Sequence, residues 1–435
     1  MKRNVTLWPL IAAVYLMVAG GPFGLEDTVS QSGYMGAILL LLITPVIWGL
    51  PTALMVAELA GALPEEGGYY VWAKRSMGPF WGFMEAWLSL TGSIFDMAIY
   101  PTLFVSYLEH FNPALTSNGK GLWIGVGLVA VCALANLAGA RCVGFTSFAF
   151  TAMLLSPFVV LTLYAGLHPA PATPGPAPKF DFLLGLLVAM WNYMGWDNSS
   201  TIAGEVDRPQ RTYPMAMGGA VMLVALTYIL PIAAVAATGL SASKWTTGGW
   251  ADVARAVMGS GTLSQVVAVG ITIGGMMGAV GTLNALTMAL TRLPAVLADD
   301  GFLPKVFARR NLKNGAPYVA IFACAIVWAL ALNLSFAKLI MLDVLLTGAS
   351  ILLEFASLVA LRIREPELPR RYRVPGGLAG AIGIGVGPLV LLVLAVVRNK
   401  AEPVGPINAL QLGAILIALG VVSYFLSTRF RSKPT

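Results

Sequence analysis

Apolar runs of about 20 residues, enough to cross a hydrocarbon core, recur almost end to end in this chain. Water is absent at that depth, so each run must satisfy its own backbone N–H and C=O groups, and it does so as a helix. Charged residues make up 11% of the sequence, against about 25% in soluble domains. No stretch is long and polar enough to form a soluble domain. The sequence therefore predicts an all-α polytopic membrane protein.

One stretch violates the pattern. Gly20-Gly21-Pro22-Phe23-Gly24-Leu25-Glu26-Asp27 falls inside the first apolar run. Proline has no N–H to give, and glycine is about 1 kcal/mol worse than alanine in a helix. A carboxylate at bilayer depth costs about 2.5–3.5 kcal/mol on insertion scales. Such a sequence is tolerated only where it faces protein or a water-filled cavity, which makes it one half of a candidate solute site.

The other half lies in the sixth run. Trp191-Asn192-Tyr193-Met194-Gly195-Trp196-Asp197-Asn198-Ser199-Ser200-Thr201 places a glycine, a carboxylate and a polar cluster within an apolar helix that ends near Gly204-Glu205. Twelve spans are expected, with the breaks in spans 1 and 6. Each then opens a five-helix unit, and because five is odd the second unit lies inverted relative to the first. Paired interrupted helices at matching positions point to a transporter site at the interface of the repeats. The expected units are residues 1–167, residues 168–361 with an amphipathic cytoplasmic segment at 291–317, and residues 362–435 with spans 11 and 12. Phe23 precedes Asp27 by the same spacing as Tyr193 precedes Asp197, a weak local echo.

The net charge of +7 could attract nucleic acid, but its distribution argues otherwise. Most Lys and Arg fall at one set of helix ends, as in Lys74-Arg75, Arg208, Arg211, Arg309-Arg310 and the run from Arg362 to Arg373. Lys120, Lys179, Lys244, Arg255, Lys338, Arg398 and Lys400 remain for the other side. This is the positive-inside signature. It predicts cytoplasmic termini in a plasma membrane and implies the lipid bilayer, not nucleic acid, as partner. Met1-Lys2-Arg3 and the following apolar run resemble a signal peptide, but cleavage would destroy the first break and is not expected. Cys132, Cys142 and Cys324 fit packing positions, with no metal spacing. His110 and His168 fall at outer helix ends, so neither a metal nor a His-based catalytic centre is expected, and no cofactor is called for.

A broken helix frees backbone groups and exposes half-helix dipoles to a solute. Glu26 and Asp27 could serve there, or could simply cap the outer half-helix. Asp96 lies mid-span, where no cap is needed, and Asp197 lies inside the second break. Together they favour an amine or a proton. Trp191 could close over a solute or give its face to an ammonium, though membrane aromatics usually pack or face lipid. Glu58 and Glu205, near cytoplasmic ends, read as gate or loop ties. Asp343 and Glu354 have no obvious partner.

Several of these motifs resemble the amino acid–polyamine–organocation superfamily: Gly67-Gly68-Tyr69, Gly204-Glu205 with Pro209 and Pro214, and Asp300-Gly301-Phe302-Leu303-Pro304. The stretch Gly20–Asp27, Gly78-Pro79-Phe80-Trp81-Gly82-Phe83, Asp96 with Tyr100-Pro101, and Tyr372-Arg373-Val374-Pro375 are similar to polyamine uptake transporters of the plant and protozoan type. The resemblance implies a LeuT-like 5+5 inverted repeat and import of amino acids or polyamines, often driven by protons. It implies substrate contacts at Gly20, Gly21, Pro22, Phe23, Gly24, Trp191 and Asp197, and the residue reading adds Asp27, Asp96 and Tyr193 as candidates. Coupling or gating roles would fall to Glu26, Asp96, Trp191 and Glu205, with Trp191 at the aromatic gate. Two departures stand out. Ala19-Gly20-Gly21-Pro22 replaces the Gly-Ser-Gly usual in amino acid members, and Gly281–Leu286 is neutral where polyamine members tend to be acidic. Span 5 (Phe145–Leu167) has no lysine, so any proton coupling should run through Asp or Glu. The leading expectation is a proton-coupled permease for an amine solute. An uncoupled amino acid exchanger is the alternative, and a membrane enzyme or channel fits less well.

Overall fold

Helix α1 (Leu7–Val18) stops where the glycines begin. The computed structural model describes residues 5–65, 67–137, 144–171, 181–311, 315–399 and 402–430. Lys2, Arg3, Arg141, Cys142, Lys179, Lys313, Lys400, Arg431 and Lys433 therefore lie outside the described residues. Gly20, Gly21 and Gly24 adopt φ of +59°, +107° and +82°, a region that only glycine enters freely. The chain resumes as α2 (Glu26–Thr44), which kinks at Gly33 (φ +67°). The first break is thus enforced by backbone conformation. The outer half-helix is one short stretch from Glu26 to the Gly33 kink, a little longer than the expected end at Ser30.

Past Gly33 the second apolar run continues through a π-turn at Pro45–Gly49 into α3 (Leu50–Ala62). Leu50 N–H bonds the Pro45 carbonyl, one residue further back than in an α-helix. The cause is Pro51, whose ring would crowd the carbonyl four residues earlier. Helix α4 (Gly68–Met77) follows, then the long α5 (Pro79–Phe111), α6 (Lys120–Leu137) and α7 (Gly144–Leu167).

Helix α8 (Phe182–Asn192) ends at the second break, and a 3-10 segment covers Asp197–Glu205. After α9 (Pro209–Ala237), the stretch that carries Arg255 forms α10 (Trp250–Met258). Helix α11 (Thr262–Leu290) leads into the short amphipathic α12 (Arg292–Asp299), then α13 (Tyr318–Ala331) and α14 (Phe336–Arg364). Helix α15 (Gly377–Asn399), a two-stranded hairpin (Pro403–Val404 with Ile407–Asn408) and α16 (Ala409–Phe430) complete the chain. Among the described residues, eight helical stretches are long and apolar enough to cross a membrane, and Leu7–Val18, Thr151–Leu167 and Tyr318–Ala331 are shorter apolar helices.

Helices α5 and α14 pack along much of their length. A Cβ on Gly92 would sit 2.4 Å from Thr347 Oγ1, and Ser89 Oγ lies 2.9 Å from Ser350 Oγ. Moving down one helix thus moves up the other, so the pair is antiparallel. The same register sets Asp96 opposite Asp343 and Glu85 opposite Glu354. Glu85, Ser89, Gly92 and Asp96 on α5 and Asp343, Thr347, Ser350 and Glu354 on α14, each set at 4-3-4 spacing, form one seam that is polar at every position but Gly92, as two helices packed at a shallow angle require.

At the end that carries Lys74, Arg75 and Arg362–Arg364, ion pairs join the elements. Glu58 on α3 is fully buried. It accepts from Arg362 Nε at 3.0 Å and from Val374 N–H at 2.7 Å, with Arg370 Nε at 3.4 Å. Arg75 grips Glu365 with two bonds of 2.9 and 2.7 Å. Asp300 accepts from Lys74 at 2.6 Å and from the Tyr70 hydroxyl. Glu58 thus proves to be a structural tie among α3, the end of α14 and the loop before α15.

Candidate solute site

The two breaks cross. A Cβ on Gly195 (φ +93°) would meet the Met17 carbonyl at 2.8 Å, so the second break turns directly against the last turn of α1. Carbonyls freed by the interruptions are satisfied locally. Tyr228 donates to Asn192 O at 3.0 Å, Trp196 Nε1 to Tyr193 O at 2.8 Å, and Trp250 Nε1 to Pro22 O at 2.8 Å. Tyr213 donates to Ser199 O at 2.6 Å. Without these donors the buried carbonyls would each cost about 1–3 kcal/mol.

A cavity of about 70 Å³ opens at the crossing, room for roughly five waters at about 10–15 Å³ each. Its walls include Gly20, Phe23, Asp96, Trp191, Asp197 and Asp343. Ser89, Ser93, Tyr100 and Thr347 continue the α5–α14 seam along one side, and Thr282 and Leu286 of α11 line the other. Three carboxylates face the space, and no Lys, Arg or His occurs among its described lining residues. The described residues contain no metal-ligating group of His, Cys, Asp or Glu.

Trp191 closes one end. Its ring packs edge-on to Phe336 (centroids 5.8 Å apart) and near Tyr100 (6.3 Å). A Cβ on Gly24 would lie 2.9 Å from Trp191 Cζ3, so Gly24 makes room for the indole without touching the cavity. Trp191 Nε1 donates to Asp96 Oδ1 at 3.4 Å, and Tyr100 donates to the same oxygen at 3.0 Å. From Trp191 the cavity runs toward the basic end, where Tyr69 at the start of α4 and Leu290 at the end of α11 line it. Tyr69 is carried there by Gly68 (φ +42°), whose missing side chain lets α4 press on Ser200: a Cβ would fall 2.0 Å from Ser200 Oγ. Gly67-Gly68-Tyr69 is therefore a device for bringing a tyrosine under the second break.

Of the residues expected at the site, Gly20, Phe23, Asp96, Trp191 and Asp197 meet in one cavity. Gly21, Pro22 and Gly24 shape the first break behind it; a Cβ on Gly21 would strike Leu154 Cδ2 at 2.5 Å. Tyr193 turns away. Its hydroxyl donates to Leu41 O at 3.0 Å and its ring packs on Tyr228. The echo between Phe23–Asp27 and Tyr193–Asp197 thus has no common geometry. Glu26 and Asp27 point to the opposite end: Glu26 accepts from the Tyr107 hydroxyl, and Asp27 Oδ2 accepts from Thr247 at 2.8 Å. The side chain of Glu205 lies outside the described residues. Asp343, Thr347, Tyr69 and Ser89 were not anticipated as lining. One signal for Asp343 was available: Asp343, Thr347, Ser350 and Glu354 mark one polar face on an otherwise apolar helix.

A crossing of two interrupted helices over a cavity invites comparison with known transporters. The sequence model described as amino acid permease matches residues 7–419. The chain is 36% identical over 419 residues to the polyamine transporter PUT1 of Oryza sativa subsp. japonica, covering 95% of this chain and 78% of the relative. It is 30% identical over 426 residues to the polyamine transporter RMV1 of Arabidopsis thaliana, covering 95% and 84%. An uncharacterized transporter of Legionella pneumophila matches at 27% over 377 residues, covering 80% of each chain. With the family model spanning nearly its whole length, the chain belongs to the amino acid permease family.

Proposed function

We propose that this permease moves an amine-bearing solute, a polyamine or an amino acid, across the membrane by alternating access around the cavity at the two helix breaks. The observation that carries this reading is the wall itself: Asp96, Asp197 and Asp343 line the cavity, and no basic side chain answers them among its described lining. Buried carboxylates without a partner cation are costly, so a bound ammonium is their natural counter-ion. The plant relatives named as polyamine transporters favour the same solute class. The neutral stretch Gly281–Leu286 ceases to count against it, because α14 supplies a carboxylate, Asp343, to the same cavity. The α-carboxylate of an amino acid would have to sit beside those acidic groups.

The architecture proposed is twelve spans in a 5+5 inverted repeat followed by two further helices. In that arrangement α1 with the stretch to Gly33, and α8 with the Asp197–Glu205 segment, form spans 1 and 6. The packing pairs support it, because each has a counterpart in the other unit: α1 on α9 matches α8 on α2, α5 on α14 matches α11 on α7, and α5 on α13 matches α11 on α6. Domain limits at 167/168 and 361/362 follow from the same scheme. Cytoplasmic termini, a plasma membrane location and import follow from the charge asymmetry and the resemblance.

Proton coupling is part of the proposal, with the cavity carboxylates as carriers; uncoupled exchange is the competing mode. Counterflow of labelled spermidine into proteoliposomes tests the carrier reading, and absence of counterflow with every amine and amino acid tried would overturn it. Dissipating the proton gradient should abolish net uptake in a symporter and leave exchange intact.

A further inference from the structure

We infer that Glu85 and Glu354 form a second ammonium subsite at the basic end of the seam, which takes the far amine of a long polyamine. The inference rests on the reading that the cavity accepts amines. The two residues face each other in the α5–α14 register and are almost wholly buried. Glu85 Oε1 accepts from Ser350 at 2.7 Å and from Ser89 at 3.0 Å. Glu85 Oε2 and both oxygens of Glu354 have no hydrogen-bond partner among the described residues. That leaves three buried acceptor atoms without a donor. A proton held between the two carboxyls would pair one oxygen of each and leave the third without a donor, whereas an alkylammonium carries three N–H donors.

The pair lies just behind Ser89 and Tyr69, which line the cavity at this end. Asp197 and Asp96 line the same cavity as Ser89 and Tyr69. Acidic side chains thus continue from Asp343 and Asp96 through Asp197 to Glu85 and Glu354. Along α5 the carboxylates of the two ends are eleven residues apart, about 16 Å at 1.5 Å per residue. This is the scale of an extended long-chain diamine and well beyond that of diaminobutane. An amine anchored at Asp96 and Asp343 can therefore reach Glu85 and Glu354 only if its chain is long and Tyr69 yields.

The test is equilibrium binding of diaminobutane, diaminooctane and diaminododecane to the full-length protein in detergent. Wild-type affinity should rise with chain length, and the preference for diaminododecane over diaminobutane should fall by about tenfold or more in Glu354→Gln, one charge-assisted contact's worth. Glu85→Gln should lower the same ratio. A wild-type series that is flat with length overturns the subsite without any variant. So does an unchanged ratio in both variants, including the case where only the pH profile moves and the pair proves to hold a proton alone. If the wild type binds none of the diamines, it is the amine reading of the cavity that fails.

Discussion

The indole N–H of Trp191 donates to Asp96 Oδ1 at 3.4 Å, so the ring that closes the cavity is tethered to a carboxylate that lines it. A hydrogen bond to a charged group is worth about 1.5–3 kcal/mol. Asp96→Asn should therefore weaken binding of a cationic solute by about 10- to 100-fold. Trp191→Phe keeps an aromatic face beside Phe336 and should cost less. Binding of labelled spermidine to purified variants measures both, and normal affinity in Asp96→Asn would remove this carboxylate from the site.

Gly24 has no room for a side chain. Its φ is +82° and a Cβ would sit 2.9 Å from Trp191 Cζ3. Gly24→Ala should destabilise the protein by about 1–3 kcal/mol and suppress uptake by displacing the indole. Gly127, a helical glycine with open space around its Cβ, is the control. Gly127→Ala should be neutral or stabilise by up to about 1 kcal/mol. Melting temperatures of the two variants decide.

The approach of α4 to the second break can be tested by a double-mutant cycle. Gly68→Ala should be disruptive, because its Cβ would overlap Ser200 Oγ. Adding Ser200→Gly relieves that overlap but not the backbone strain at φ +42°. The double variant should thus regain about 0.5–3 kcal/mol of coupling relative to additivity. Strict additivity in thermal stability would mean that the close contact carries no energy.

Glu58 and Arg362 form a buried pair, with side-chain exposures of 0% and 9%. Removing one partner strands a buried charge, at a cost of about 3–5 kcal/mol, whereas replacing both by apolar groups is often near neutral. Glu58→Gln should therefore melt well below wild type, because it leaves Arg362 and the buried Arg370 without their carboxylate. Equal melting temperatures for the single variant and wild type would refute the tie.

At the same end, the hydrogen bonds from Arg75 hold the Glu365 carboxyl below its usual range. A carboxyl whose folded pKa lies below its unfolded value, about 4.3 for Glu, stabilises the fold above that unfolded value. The contribution disappears as pH falls through the folded value. Both side chains are about one-third exposed, so the effect should stay below about 1 kcal/mol. The melting-temperature gap between wild type and Arg75→Ala should be present near neutral pH and close on acidification below about pH 4. A gap that widens with acid would contradict the assignment.

The breaks were legible in sequence because glycine and proline act locally: Gly20, Gly21, Gly24 and Gly195 alone dictate where α1 and α8 stop. Asp96, Asp197 and Trp191 were legible because a carboxylate or a bulky ring at bilayer depth needs a reason. The seam was not, because it depends on the register between α5 and α14, two helices far apart in the chain. The packing of Gly92 on Thr347 and the contact of Ser89 with Ser350 fix which carboxylates face each other. Tyr193 and Glu26 illustrate a related limit. Both are polar residues near a break, yet a side chain's direction at an irregular turn is set by partners such as Leu41 O and Tyr107, which spacing cannot reveal.

The bond from Trp250 to the Pro22 carbonyl has a chemical consequence for selectivity. Proline has no N–H, and its carbonyl already accepts from Trp250, so residue 22 offers a visiting solute no backbone donor. At that position the first break can answer a solute with an acceptor and never with a donor. Under the amine reading proposed above, that bias suits an ammonium, which brings only donors, and such a cavity should tolerate varied skeletons as long as the positive charges fall in the right places.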